Sequence, residues 1–310
     1  MLLCYYETWK PLEIHQKRHK IISIRPKGHF GVCTRGFPMN RKTLDLLCCP
    51  HCRAELLLHS QEAGENIQEG ELACPGCSRI YPIHDGIPQF ILPEELTGLN
   101  RRFSHLYDIF SAVYLPWSRA VFTFIGGEKR LRRGLVERMD LHGGKVLEVS
   151  LGPGPNLPFL YETGRVEMVY GLDISPGQLK RCQAFARKGG WEVELFLGTA
   201  EQLPFREETF DTVFHVGGIN FFNDKQAAVN EMIRTAKKGT RLLIGDENEK
   251  GVKFYEGTLP GFSSSFKDGR AAVTAPVGLI PPEMEDVKVE SVWKGYFYSI
   301  SFTKPEKQPG

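Results

Sequence analysis

The sequence predicts an α/β fold in which a mostly parallel sheet follows a small cysteine-rich domain, and three observations predict it. From Lys145 onward short apolar runs alternate with helical stretches, the order that builds parallel strands joined by crossover helices. The first of these runs, KVLEVSLGPGPN at Lys145–Asn156, ends in a turn rich in Gly and Pro. Upstream, the pairs Cys49-x-x-Cys52 and Cys74-x-x-Cys77 lie about twenty residues apart, the spacing of two metal-binding knuckles.

Composition bounds the function. Of 310 residues, 41% are hydrophobic and 25% charged, enough for a sizeable core and inconsistent with a disordered chain. Lys+Arg number 39 against Asp+Glu 37, a net charge of +2, which argues against gripping nucleic acid through the overall field. No apolar run with a small-residue cleavage site opens the chain, so a reducing, cytoplasmic setting is expected, where clustered cysteines hold metal more often than they form disulfides. The longest apolar region, Leu106–Ile125, is broken by Asp108, Ser111, Pro116, Ser118 and Arg119. It does not make a bilayer span, and peripheral contact with a membrane surface stays open.

Taken in order, residues 1–38 are basic and aperiodic and are expected to be irregular. Met39 makes a natural beginning for the small domain, so the segment before it reads as a basic tail or an over-extended start. Residues 39–95 carry five of the eight cysteines. Pro50, Pro75 and Gly76 give each pair its turn geometry, and four thiolates satisfy the tetrahedral preference of zinc without leaving a coordination site open. The expected metal is therefore structural Zn2+ on Cys49, Cys52, Cys74 and Cys77, with Cys48, His51 and His84 as alternative ligands. Residues 96–142 read as a helical linker and lid. Phe103, Leu106, Tyr107 and Phe110 recur at helical spacing, and a second helix around GEKRLRRGLVERMDL is expected to expose a basic face from Lys129 to Arg133.

Residues 143–310 carry the main sheet. Strands are expected at KVLEV, EMVYGLDI, EVELFLG, DTVFHV and TRLLIGD, with helices near Leu157, from Pro176 and from Lys225 to Ala236. Two further strands, Asp286–Trp293 and Tyr296–Thr303, are close enough to run antiparallel. Glu148 ends the first strand. At Ser150, Gly152 and Gly154 the chain must bend so that backbone meets a ligand, which small residues permit. Asp173 ends the second strand, where a carboxylate can accept both hydroxyls of a ribose. Ala200 and Glu201 follow the third strand, placed to flank and hydrogen-bond an adenine.

Residues 42–93, including Tyr81-Pro82-Ile83 and Asp85-Gly86-Ile87-Pro88, resemble the small zinc-ribbon-like domains that occur free as methyltransferase activators or fused ahead of a methyltransferase. RFSHLYDIFSAVYLPW resembles the stretch that precedes the cofactor domain in quinone-biosynthesis C-methyltransferases. By that resemblance Tyr107 edges the cofactor or substrate pocket. Leu99–Pro305 resembles the class I S-adenosylmethionine (SAM)-dependent methyltransferases, which implies a Rossmann-like seven-stranded sheet. The resemblance assigns Glu148, Ser150, Gly152 and Gly154 to the methionine end of SAM, Asp173 to the ribose, and Ala200 and Glu201 to the adenine, with Ile174 also expected among the cofactor-binding residues.

One departure stands out: Ser150 and Leu151 occupy positions where that family has Gly and another small residue or Cys. Extra atoms there would crowd the amino-acid moiety or demand an unfavourable backbone angle. Methyl transfer from a sulfonium needs alignment above all, and a base only when the nucleophile must lose a proton. The candidates are His215, Asn220, Asp246, Glu247 and Glu249, with His215 and Asp246 foremost. The expected acceptor is a small, apolar or quinone-like molecule. The alternatives are ribosomal or transfer RNA, favoured by Arg130, Arg132 and Arg133, and a non-catalytic SAM-binding or activating role. A dehydrogenase is disfavoured because Leu157 stands where a dinucleotide fingerprint needs its third Gly.

Overall fold

Seven strands make the main sheet, in the order β12-β13-β11-β10-β7-β8-β9. Here β7 is Lys145–Val149, β8 Met168–Asp173, β9 Val193–Leu197, β10 Thr212–Val216, β11 Arg241–Glu247, β12 Glu285–Val292 and β13 Phe297–Thr303. Strands β7 to β11 pair in parallel, and β13 runs antiparallel to both β11 and β12. The strand order reverses beside β7, between β8 and β10, which is where open α/β sheets bind ligands beyond their carboxyl ends. The structure, a computed structural model, describes residues 37–102, 104, 127–258 and 275–306. The Leu106–Ile125 region, with the helical positions Phe103, Leu106, Tyr107 and Phe110, lies outside the described residues. So do residues 1–36 of the basic N-terminal stretch.

Helices α1 (Glu128–Arg138), α2 (Leu157–Glu162), α3 (Pro176–Gly189), α4 (Lys225–Thr235) and α5 (Glu249–Thr258) complete the main unit. The sequence punctuates them. Ser175 caps α3 by accepting from the Gln178 N–H, Pro176 opens it, and Gly190 closes it at φ +69°, the usual grammar of helix ends. Asp224 caps α4 through the Ala227 N–H. Leu135, Val136, Val146, Leu151, Leu157, Leu179 and Phe214 fill one side of the sheet. The α1 helix departs from expectation at one residue, Arg132. Arg132 is buried and donates to Glu128 at 2.9 Å and to Asn156 at 2.8 Å, while Arg133 pairs with Glu162. Of the basic face expected there, Lys129, Arg130 and Arg133 are exposed, and Arg132 alone turns inward.

The cysteine domain comprises β1 (Met39–Asn40), β2 (Leu57–His59), β3 (Asn66–Ile67), β4 (Gly70–Ala73), β5 (Ile80–His84) and β6 (Ile87–Pro88). Strand β1 pairs with β3, and β2-β4-β5-β6 form a small antiparallel sheet. This domain shares its core with the other side of the main sheet. One buried cluster runs from Met39, Leu47, Cys49 and Tyr81 to Tyr170, Phe196, Phe205 and Phe210. Edge-on ring pairs Phe196–Phe205 and Phe205–Phe210, at 5.0 and 4.9 Å, carry it into the sheet. Backbone joins the two as well, because Phe90 N–H donates to Leu197 and Cys48 N–H to Pro204. Among the described residues no helix is long and apolar enough to cross a membrane.

Candidate functional site

The Gly-rich turn leaves β7 and bends at Ser150 (φ +60°), Gly152 (φ +59°) and Gly154 (φ +75°). Ser150 thus takes the left-handed angle that its position demands and that its side chain makes costly. Leu151 does not crowd the turn. It is buried and packs on Gly171 of β8, where a Cβ would meet its Cδ2 at 2.6 Å. A Cβ on Gly152 would meet nothing within 4 Å, so this glycine faces open space of the kind a closely seated ligand needs. Glu148 is 1% exposed and accepts from Asn156 Nδ2 at 2.6 Å, while its second oxygen has no partner. Burial pushes its carboxyl up to about 8, opposed by Asn156 and by the charge of Arg132.

Asp173 stands at the end of β8 and ties the neighbouring turns together, accepting from Gly152 N–H at 2.8 Å and Ser175 N–H at 2.9 Å. Ile174 follows, half-buried, and its carbonyl accepts from Ser104. On the third-strand side Ala200 is buried, and Glu201 accepts from Asn223 N–H at 2.9 Å and Asn100 Nδ2 at 3.1 Å. Asn100 lies in the helical stretch 98–102, and Ser104 is helical as well. Tyr107 itself lies outside the described residues. The turn, Asp173, Ile174, Ala200 and Glu201 thus gather beyond the carboxyl ends of β7, β8 and β9.

Farther along the same edge, His215 of β10 and Asp246 of β11 come together with a residue the sequence reading missed, Tyr298 of β13. All three are buried. His215 Nδ1 donates to the Val149 carbonyl at 2.9 Å, which leaves Nε2 without a partner. Burial holds the ring's pKa below its usual value, against the charge of Asp246. The Asp246 carboxylate accepts from Gly218 N–H at 3.2 Å, Asn220 Nδ2 at 3.4 Å and Glu247 N–H at 2.8 Å. Burial, then the Asp246 charge, raises Glu247 well above the usual carboxylate range. The Tyr298 hydroxyl has no partner. No motif marks Tyr298, because it alternates with Ile300 and Phe302 as an ordinary inward strand residue. Asn156 and Arg132, which support Glu148, were equally silent.

The four cysteines converge. One sulfur each from Cys49, Cys52, Cys74 and Cys77 lies within 4.8 Å of the others, with Cys49–Cys77 at 3.6 Å and Cys52–Cys74 at 3.4 Å. Cys48 is excluded because its thiol donates to the Phe205 carbonyl, and His84 instead contacts Glu69. Both knuckles close alike: Arg53 N–H donates to Cys49 and Ser78 N–H to Cys74, each from a left-handed residue. Burial alone would raise the Cys49 thiol, but hydrogen bonds from Tyr81 and the backbone bring it down to about 6, a thiolate character suited to metal ligation.

Comparison with known proteins agrees with this arrangement. Residues 147–244 match the methyltransferase domain family, and residues 40–86 match the Trm112p-like protein family. The chain is 33% identical to phosphatidylethanolamine N-methyltransferase of Cereibacter sphaeroides over 171 residues, 51% of this chain and 82% of that protein. It is 30% identical to a phthiotriol/phenolphthiotriol dimycocerosates methyltransferase of Mycobacterium leprae over 35% of this chain and 40% of that one. Among solved structures the [4+2]-cyclase SpnF shares the fold, with TM-score 0.50 and 16% identity over 68% of this chain and 98% of that chain. With the seven-stranded sheet and its glycine turn already in place, the 82% coverage at 33% identity settles the assignment: this chain belongs to the class I SAM-dependent methyltransferases and carries a Trm112p-like four-cysteine domain ahead of the sheet.

Proposed function

We propose that this SAM-dependent methyltransferase, whose acceptor is a small molecule, methylates an amine carried on a lipid. The carrying observation is the extent of the likeness to a protein named phosphatidylethanolamine N-methyltransferase, 82% of whose length is covered. A second relative is named for dimycocerosates. The acceptor end of the site agrees with an amine. His215 Nε2 keeps a free lone pair and Asp246 presents carboxylate oxygens, so both are hydrogen-bond acceptors.

In this reading the turn at Ser150, Gly152 and Gly154 takes the methionine end of SAM, with Glu148 supporting it from beneath. Asp173 and Ile174 border the ribose, Ala200 and Glu201 the adenine, and Tyr107 the pocket edge. SAM supplies a methyl carbon already activated by its sulfonium. The residues at the ends of β10 and β11 align the acceptor nitrogen with that carbon, and alignment supplies most of the rate. As nitrogen forms its new bond to carbon, the carbon–sulfur pair goes to sulfur. The proton that nitrogen sheds passes to His215 or Asp246. Cys49, Cys52, Cys74 and Cys77 hold Zn2+ in a closed structural site.

A quinol acceptor is the second reading, favoured by the stretch around Tyr107. The burial of Arg132 and the pairing of Arg133 with Glu162 reduce the basic charge offered to RNA. The test is incubation with methyl-labelled SAM and separate metabolite, lipid, RNA and protein fractions, alongside vesicles containing phosphatidylethanolamine and a soluble quinol. Label in the aminolipid is the expected result. Label in quinol or RNA alone, or in no fraction, overturns the proposal.

A further inference from the structure

We infer that Arg53 is a positioning residue that couples the first cysteine knuckle to the adenine side of the cofactor site. This rests on the reading above that Ala200 and Glu201 border the adenine and that the four cysteines hold zinc. The two knuckles are built alike, with the residue after the second cysteine in left-handed conformation, Arg53 at φ +64° and Ser78 at φ +60°. They differ in what that residue does. Ser78 is too short to reach beyond its own domain, whereas the Arg53 guanidinium crosses into the main unit.

There it holds one residue from two sides, directly and through Glu231. Arg53 Nη1 donates to the Leu203 carbonyl at 2.9 Å, and Nη2 donates to Glu231 Oε1 at 2.7 Å. Glu231 Oε2 in turn accepts from the Leu203 N–H at 2.9 Å. Leu203 is thus held at both its N–H and its carbonyl, two residues after Glu201. Arg234 backs the arrangement with two bonds to Glu231, one to the Phe205 carbonyl and a longer one, 3.2 Å, to the Leu203 carbonyl that Arg53 holds at 2.9 Å. Glu231 is nearly buried, whereas the Arg53 side chain is 40% exposed and reaches it from the knuckle. The segment 200–205 is therefore anchored partly to helix α4 and partly to the cysteine domain.

The coupling follows from geometry. A guanidinium makes two directed bonds at once, so its use depends on where its backbone stands. The Arg53 backbone is fixed by the turn that brings Cys49 and Cys52 to one point, since its N–H closes that turn on the Cys49 carbonyl at 2.8 Å. Four sulfurs within 4.8 Å stay together as thiolates only around a cation. Loss of the cation opens the turn, moves Arg53 and loosens Leu203 and the Ala200–Glu201 segment with it.

The test is calorimetric titration of the full chain with S-adenosylhomocysteine, metal-loaded and chelator-stripped, in wild type, Arg53→Ala, Arg53→Lys and Arg79→Ala. Stripping should weaken wild-type binding about tenfold, which is ~1.4 kcal/mol. Metal-loaded Arg53→Ala should already be weakened by a similar factor and lose less than about twofold more on stripping, the non-additivity expected of one shared path. Arg53→Lys should fall between them, and Arg79→Ala, an exposed partner of Glu95, should match wild type. The inference is overturned if stripping leaves wild type unchanged, or if it weakens wild type and Arg53→Ala equally. Should the stripped chain lose its near-ultraviolet circular dichroism, the metal-loaded comparison decides: unaltered affinity in Arg53→Ala overturns the inference. Failure of folded, metal-loaded wild type to bind at all would instead remove the cofactor reading on which it rests.

Discussion

Three residues in the turn after β7 share left-handed backbone angles for different reasons. Gly152 faces open space, so a methyl there meets only a ligand. Gly154 faces the core, where a Cβ would come within 2.7 Å of Cys182 Sγ and 2.8 Å of Leu157 Cδ1. Gly152→Ala should therefore abolish S-adenosylhomocysteine binding while lowering stability by only about 1 kcal/mol, the backbone cost of Ala at positive φ. Gly154→Ala should cost more, about 2–3 kcal/mol, through overpacking as well as strain. Titration paired with urea unfolding separates the two. Ser150 is the third case. Ser150→Gly should leave stability within about 1 kcal/mol, relief of strain offsetting the added chain entropy, whereas Ser150→Val should lose about 2 kcal/mol because a branched side chain fits this angle badly. The need for small residues here was legible in the sequence. The inward turn of Leu151 was not, because it depends on the bare face of Gly171 on the next strand.

At the scale of elements, β9 is where the cysteine domain docks. Glu194 on β9 is buried beneath the 3-10 helix Arg41–Leu46, which Asn40 caps by accepting from Lys42 N–H. Burial pushes its carboxyl up to about 7, opposed by Thr43 and the Asn40 backbone, and the hydroxyl of Tyr170 on β8 is raised beside it. The folded chain thus holds a proton that the unfolded chain, near 4.5, releases earlier. Where the folded state binds more protons, stability falls as pH rises. The contribution of Glu194 is complete below the unfolded value and is lost as pH climbs through about 7. Glu194→Gln should flatten the decline of melting temperature across that window, and an unchanged slope would show that this carboxyl carries no linkage. The seven strands and the helices from Pro176 and Lys225 were legible from apolar periodicity and end signals. The docking was not, since it runs through backbone pairs such as Phe90–Leu197 and one left-handed Arg, which leave no periodic trace.

For the molecule as a whole, the shared core means that the cysteine domain and the sheet stand or fall together. Phe205, buried between Phe196 and Phe210, links them, and Phe205→Ala should cost about 3–5 kcal/mol. Calorimetric unfolding of the full chain should show a single transition, lowered by a chelator; two separable transitions would mean the domains fold independently. The order of motifs along the chain made the methyltransferase assignment legible early, because Gly152, Asp173 and Glu201 lie at or just past the ends of three successive strands. Tyr298 was hidden, because its neighbour Asp246 comes from a strand about fifty residues away that only the antiparallel register β11–β13 brings opposite it. The central claim is that the turn at Ser150, Gly152 and Gly154 with Asp173 seats SAM. Titration of metal-loaded wild type and Gly152→Ala with S-adenosylhomocysteine tests it most directly: one site in wild type and none in the equally folded variant is the result the account predicts, and equal binding by both, or by neither, would contradict it.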